Sequence, residues 1–93
     1  MPSLEFLRSE IDDVDRQLVP LLEKRLKLSV KIGLYKREAG LSVSDPGREA
    51  VIRQRNVSLL NDKGFTESIS NLYQAIFEES RRLQKPEGDQ KHA

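Results

Sequence analysis

Apolar residues recur along the first 39 positions in alternating steps of three and four: Leu4, Leu7, Ile11, Val14, Leu18 and Leu21, then Leu28, Ile32 and Tyr35, with Arg25 filling the vacant place between the two runs. That spacing keeps one line along an α-helix, and a seam sustained this long marks a helix that packs against other helices. Ser3 supplies an N-cap before it, and Gly40 stands where a left-handed C-cap closes a helix. A helix from about Leu4 to about Ala39 is roughly 54 Å long. A compact chain of 93 residues has a radius of gyration of about 12 Å and a diameter of about 30 Å. The helix overshoots any globule this chain can build alone, and the simplest partner for its seam is a second copy of the chain, as a homodimer.

Pro20 interrupts this helix, since it removes the bond to the carbonyl of Arg16 and costs about 3 kcal/mol or more. The unbroken phase of the seam predicts one helix, kinked there, rather than two helices parting at Val19-Pro20. After a loop over Leu41 to Ser44, Asp45-Pro46-Gly47-Arg48-Glu49 reads as an N-cap, a proline at the first helical position and a first turn. This second helix carries Val51, Ile52, Leu59 and Leu60 and is expected to end near Asn61 to Gly64. Phe65 before a Thr66 N-cap starts a third, with Ile69, Leu72, Tyr73, Ile76, Phe77 and Leu83 on its inner face. No strand-period alternation occurs, so the expected class is all-α, three helices per chain. The domain is expected over residues 1–85, with residues 86–93 a polar, disordered tail.

Composition narrows the chemistry. The chain has no Cys, and its single His, at position 92, is next to last. A disulfide framework, a Cys nucleophile, a cysteine zinc site, a Ser-His-Asp triad and a multi-histidine metal site all lack their raw material. Five Gly residues form no phosphate-cradling motif. No cofactor is expected. Charged residues make up 33% of the chain with a net charge of only +1, a solvated mixture that points to neither nucleic acid nor membrane. The first residues lack the pattern of a signal peptide, so a cytoplasmic address is expected. The acidic cluster Asp12, Asp13 and Asp15 spreads around its helix and faces water, and no metal site is expected there. Arg53, Arg55, Arg81 and Arg82 are expected at the surface.

Several polar residues break the apolar stripes. Arg25 sits in the seam among Leu21, Leu22 and Leu28, where a buried charge costs several kcal/mol unless something anionic meets it. Lys36, eleven residues on, lies about 20° around the same helix and about 16 Å further along. Ser80 and Gln84, one turn apart, put a hydroxyl and an amide on the inner stripe of the third helix. Arg48 and Glu49 stand at a helix N-terminus, whose free N–H groups favour a polar ligand. Each has an ordinary explanation alone: a snorkelling arginine, a helix-end lysine, an Asp45 that is only a cap, a Ser80 bonded back to Ile76. Together they describe a pocket for a small, multiply anionic ligand.

The carriers of a family resemblance are Leu7-Arg8, Ile11-Asp12 and Asp15, Leu21-Leu22-Glu23-Lys24-Arg25, Val30-Lys31-Ile32-Gly33 with Lys36, Asp45-Pro46-Gly47-Arg48-Glu49, and Glu79-Ser80 with Gln84. In order and spacing they are similar to the AroQ class of chorismate mutases, from about Leu7 to Gln84. The resemblance implies an intertwined homodimer of three-helix chains whose two sites each draw on both subunits. It also gives Arg8 a purpose, since Arg8 lies about 25 Å along the helix from Arg25 and would serve the other subunit's site.

By the same resemblance, Arg8 of the partner subunit and Arg25 would bind the two carboxylates of chorismate. Lys36 would contact a carboxylate and the ether oxygen, and Gln84 would donate to that oxygen. Glu49 would hold the ring hydroxyl, aided by Arg48 and the backbone around Asp45, and Ser80 would add a carboxylate contact. Lys36, Gln84, Arg25 and Glu49 are thus the expected catalytic residues. The implied reaction, a unimolecular [3,3] rearrangement to prephenate, asks for no nucleophile, metal or cofactor. Two rivals remain: an isochorismate-pyruvate lyase on the same fold, which the Arg48-Glu49 pair disfavours, and a non-catalytic helical dimer.

Overall fold

The computed structural model describes residues 1–86. Three helices follow in order, α1 over Leu4–Ala39, α2 over Pro46–Leu59 and α3 over Thr66–Gln84, with a single 3-10 turn at Lys63–Phe65 before α3. Among the described residues there is no strand, and the class is all-α as expected. The tail anticipated at residues 86–93, with His92, lies outside the described residues apart from Pro86.

At the start of α1 the Ser3 hydroxyl accepts the Phe6 N–H at 3.1 Å. At its end Gly40 takes φ 70°, a left-handed conformation that a residue with a Cβ enters only under strain. Between the caps α1 runs unbroken through Pro20 for 36 residues, which excludes two helices parting at Val19-Pro20. The chain measures 56 × 29 × 15 Å with a radius of gyration of 16.4 Å, well above the compact value, because α1 projects beyond everything else. Every residue from Met1 to Leu21 is exposed.

From Leu22 onward α1 has a companion, α3, running parallel to it. Gly33 explains how closely the two approach: a Cβ there would stand 2.4 Å from the carbonyl oxygen of Gln84, far inside contact distance. Among the described residues, the buried hydrophobic side chains are Phe77 and Leu83, 2% and 4% exposed. So small a core is weak support for a monomer. On another side of the α1–α3 pair lies a trough of about 750 Å³ lined by the apolar residues Val19, Leu22, Leu26, Val30 and Leu83 and by the charged residues Glu23, Lys27, Lys31, Glu79 and Arg82.

Three local expectations are corrected. The second helix stops at Leu59, short of Asn61, because Leu60 turns extended while Asp62 accepts the Gly64 N–H at 2.8 Å and opens the 3-10 turn. Thr66 does not cap α3. The 3-10 turn runs straight into the helix, so Thr66 is its first residue and its hydroxyl donates back to the Lys63 carbonyl at 2.8 Å. Leu72 is 61% exposed: it lies roughly 80° around α3 from Ser80, and no element of its own chain covers it.

Candidate active site

Where the C-terminal half of α1, the start of α2 and the inner stripe of α3 converge, they enclose an open cleft of about 520 Å³. Leu28, Ile32, Val43, Ile52 and Phe77 supply apolar wall, and the remaining lining is polar. The start of α2 is fixed by sequence: Asp45 accepts the Arg48 N–H at 3.1 Å and Pro46 takes the first helical position. This sets Asp45, Arg48 and Glu49 against the cleft.

A chain of polar contacts crosses the floor. Lys36 Nζ donates to the Val43 carbonyl at 3.0 Å and to Gln84 Oε1 at 2.7 Å. The Gln84 amide nitrogen donates to Ser80 Oγ at 3.1 Å, and Ser80 Oγ shares a hydrogen bond of 2.8 Å with Ser29 Oγ. The Ser29 hydroxyl reaches the Arg25 carbonyl at 3.2 Å. Because an ammonium can only donate, Lys36 fixes which way the Gln84 amide faces: oxygen toward the lysine, nitrogen away. An ammonium has three N–H groups and an amide nitrogen two. After these contacts, Lys36 and Gln84 each retain one N–H for a ligand. Gln84 is 7% exposed and Ser29 3%, so the network is nearly dry and its members hold their positions. Arg37 pins the end of α3 from outside, donating to the Gln84 carbonyl at 2.8 Å.

Four cationic side chains, Arg25, Lys36, Arg48 and Arg55, face two carboxylates, Asp45 and Glu49. The cleft therefore carries two positive charges in excess, the complement of a dianion. Among the described residues no carboxylate pairs with Arg25. Its guanidinium lies instead over the Tyr73 ring, 5.6 Å from the centroid, a stabilising placement that leaves its N–H edge available. Glu49 is held by an ion pair with Arg81, which approaches from α3.

Seven of the eight residues anticipated from the sequence line this cleft: Arg25, Lys36, Asp45, Arg48, Glu49, Ser80 and Gln84. Arg8 does not. It lies on the exposed N-terminal part of α1, away from the cleft of its own chain. Sequence reasoning missed four residues. Ser29 lies one turn after Arg25 on the face that also carries Gly33 and Lys36, a spacing that could have revealed it. Arg55, expected at the surface, is exposed but lines the cleft. Arg81 was expected in solvent and is drawn to Glu49. Asn56 also lines the cleft, and its amide nitrogen is buried without a partner among the described residues.

Known proteins resemble this chain along most of its length. Residues 7–85 match the family model described as chorismate mutase type II. A 4-amino-4-deoxychorismate mutase of Streptomyces venezuelae is 34% identical over 82 residues, covering 87% of this chain and 80% of that protein. A chorismate mutase of Methanocaldococcus jannaschii is 29% identical over 80 residues, 85% of this chain and 81% of the relative. A bifunctional chorismate mutase/prephenate dehydratase of Buchnera aphidicola is 36% identical over 89 residues, 91% of this chain but 23% of that longer protein. No solved structure matches significantly. With the match extending from Leu7 through the Lys36–Gln84 network to Lys85, the chain belongs to the chorismate mutase type II family.

Proposed function

We propose that this chain, with residues 1–85 as the catalytic unit, converts chorismate to prephenate in a cleft that a second copy completes. The observation that carries the reading is the paired Lys36 and Gln84, fixed by each other and each with a donor to spare, in a cleft whose charge complements a dianion. The rearrangement breaks the ether C–O bond as a new C–C bond forms, with no atom gained or lost, and negative charge grows on the departing ether oxygen. Two preorganised donors aimed at that oxygen stabilise the transition state more than the ground state. Holding the extended side chain folded over the ring supplies the rest, by orientation.

In this reading Arg25 grips one carboxylate through its planar fork, Lys36 and Ser80 contact carboxylate oxygens, and Glu49 receives the ring hydroxyl near Arg48 and the cap at Asp45. Arg8 of the partner subunit grips the other carboxylate. The bare seam from Leu4 to Leu21 and the trough beside α3 support the homodimer, because each offers apolar surface that this chain leaves uncovered. The address proposed with it is the cytoplasm. Among the described residues no helix is long and apolar enough to cross a membrane.

The relative named for 4-amino-4-deoxychorismate brings a second substrate into view, differing at one ring substituent. Purified protein incubated separately with chorismate, 4-amino-4-deoxychorismate and isochorismate tests the reading. Prephenate formed from chorismate is the expected result. Pyruvate released from isochorismate with chorismate untouched would assign the lyase instead, and no turnover at all would leave a non-catalytic dimer.

A further inference from the structure

Glu49 does not face the cleft alone. Its carboxylate accepts from Arg81, which reaches it from α3 without itself lining the cleft. At this corner of the cleft the ion pair sets one carboxylate against one guanidinium, so the pair is electrically balanced. From this balance we infer that the Glu49–Arg81 pair selects the ring substituent, admitting a neutral hydroxyl and rejecting an ammonium. The inference rests on the reading above, in which Glu49 receives that substituent.

The physical reason lies in what each substituent asks of its surroundings. A hydroxyl donates one hydrogen bond and accepts others, so the Glu49 oxygens left over by Arg81 satisfy its proton, and neighbouring donors suit its lone pairs. An amine near neutral pH is an ammonium: it only donates, and it brings a full positive charge. A bare Glu49 would neutralise that charge. With Arg81 attached, the carboxylate is already neutralised, and a second cation at the same oxygens meets repulsion from Arg81 in a poorly screened site. Arg81 is thus a specificity-determining residue that acts through Glu49, not a group that touches the reacting atoms.

The test is a ratio of kcat/KM values, 4-amino-4-deoxychorismate over chorismate, for wild type, Arg81→Met and Glu49→Gln, with the helical content of each variant checked by circular dichroism. Wild type is expected to favour chorismate. Arg81→Met leaves one net negative charge in the corner and raises the ratio on the order of ten- to hundredfold. Glu49→Gln leaves a net positive charge and lowers it. Because the shifts have opposite signs, either variant decides the matter if the other folds poorly. Equal losses on both substrates would overturn the inference and leave the pair a structural brace, as would a wild type that prefers the amino compound. A wild type inactive on both substrates would overturn the mutase reading itself, and this inference with it.

Discussion

The two halves of α1 carry the same apolar period, yet they end in different circumstances. From Leu4 to Leu21 every residue is exposed, Ile11, Val14 and Leu18 among them, and no described element of the chain covers them. From Leu22 to Ala39 the helix meets α3, buries Ser29 and Gly33, and supports the polar network of the cleft. The seam is one device used twice. Inside the chain it is interrupted by Arg25 and Lys36, and those interruptions line the cleft. Outside, it is interrupted chiefly by its own exposure, which a second copy can remove. Under the proposed two-chain site the chain's shortness and its site are one matter: the half that lines the cleft would receive Arg8 from a partner, and the half that carries Arg8 lacks a cleft.

The largest effect is expected from charging the bare half. Ile11→Glu places an unpaired carboxylate in the seam, and in a two-fold interface it appears twice, each costing several kcal/mol. Sedimentation should then find the mass of a single chain, with activity lost, while a variant that stays dimeric and active would show that this seam is not the interface. Next comes the cleft half. Arg25→Ala removes the proposed grip on a carboxylate and should lower turnover on the order of a thousandfold with the dimer intact; near wild-type turnover would take Arg25 out of the site.

Gln84→Glu is milder. A carboxylate cannot donate, so the variant should be on the order of a hundredfold slower at neutral pH and recover as the pH falls and the side chain is protonated. An unchanged pH–rate profile would remove Gln84 from the ether-oxygen role. The smallest effect is expected at the crossing of α1 and α3. Gly33→Ala gains about 1 kcal/mol of helix propensity but drives a methyl into the Gln84 backbone, for a net loss of about 1–3 kcal/mol on thermal melting.

Much of this was legible in the sequence because it is local. The seam, the Ser3 and Gly40 caps and the Asp45-Pro46 start of α2 depend on residues within a turn or two of one another, and all appear where the spacing puts them. The breaks in apolar periodicity at Arg25, Lys36, Ser80 and Gln84 led to the cleft for the same reason. What escaped was set by how helices cross. Arg81 looks like surface on its own helix, and only the placement of α2 beside α3 brings Glu49, 32 residues away, to it. Ser29 shares a helix face with Arg25 and Gly33, but its partner Ser80 arrives only with the packing of α3. Leu72 failed in the opposite sense, since its apolar character promised burial that the single chain does not provide.

The central claim is that each site is assembled from two chains, and mixing two crippled variants tests it most directly. Arg8→Ala and Arg25→Ala should each be nearly inactive alone. When equal amounts are exchanged into mixed dimers, half of the dimers are hybrids, and each hybrid has one site with both changes and one with neither. About a quarter of wild-type turnover should return, as two-fold symmetry requires. Activity no higher than that of the separate variants, in a mixture shown to contain hybrids, would contradict a shared site.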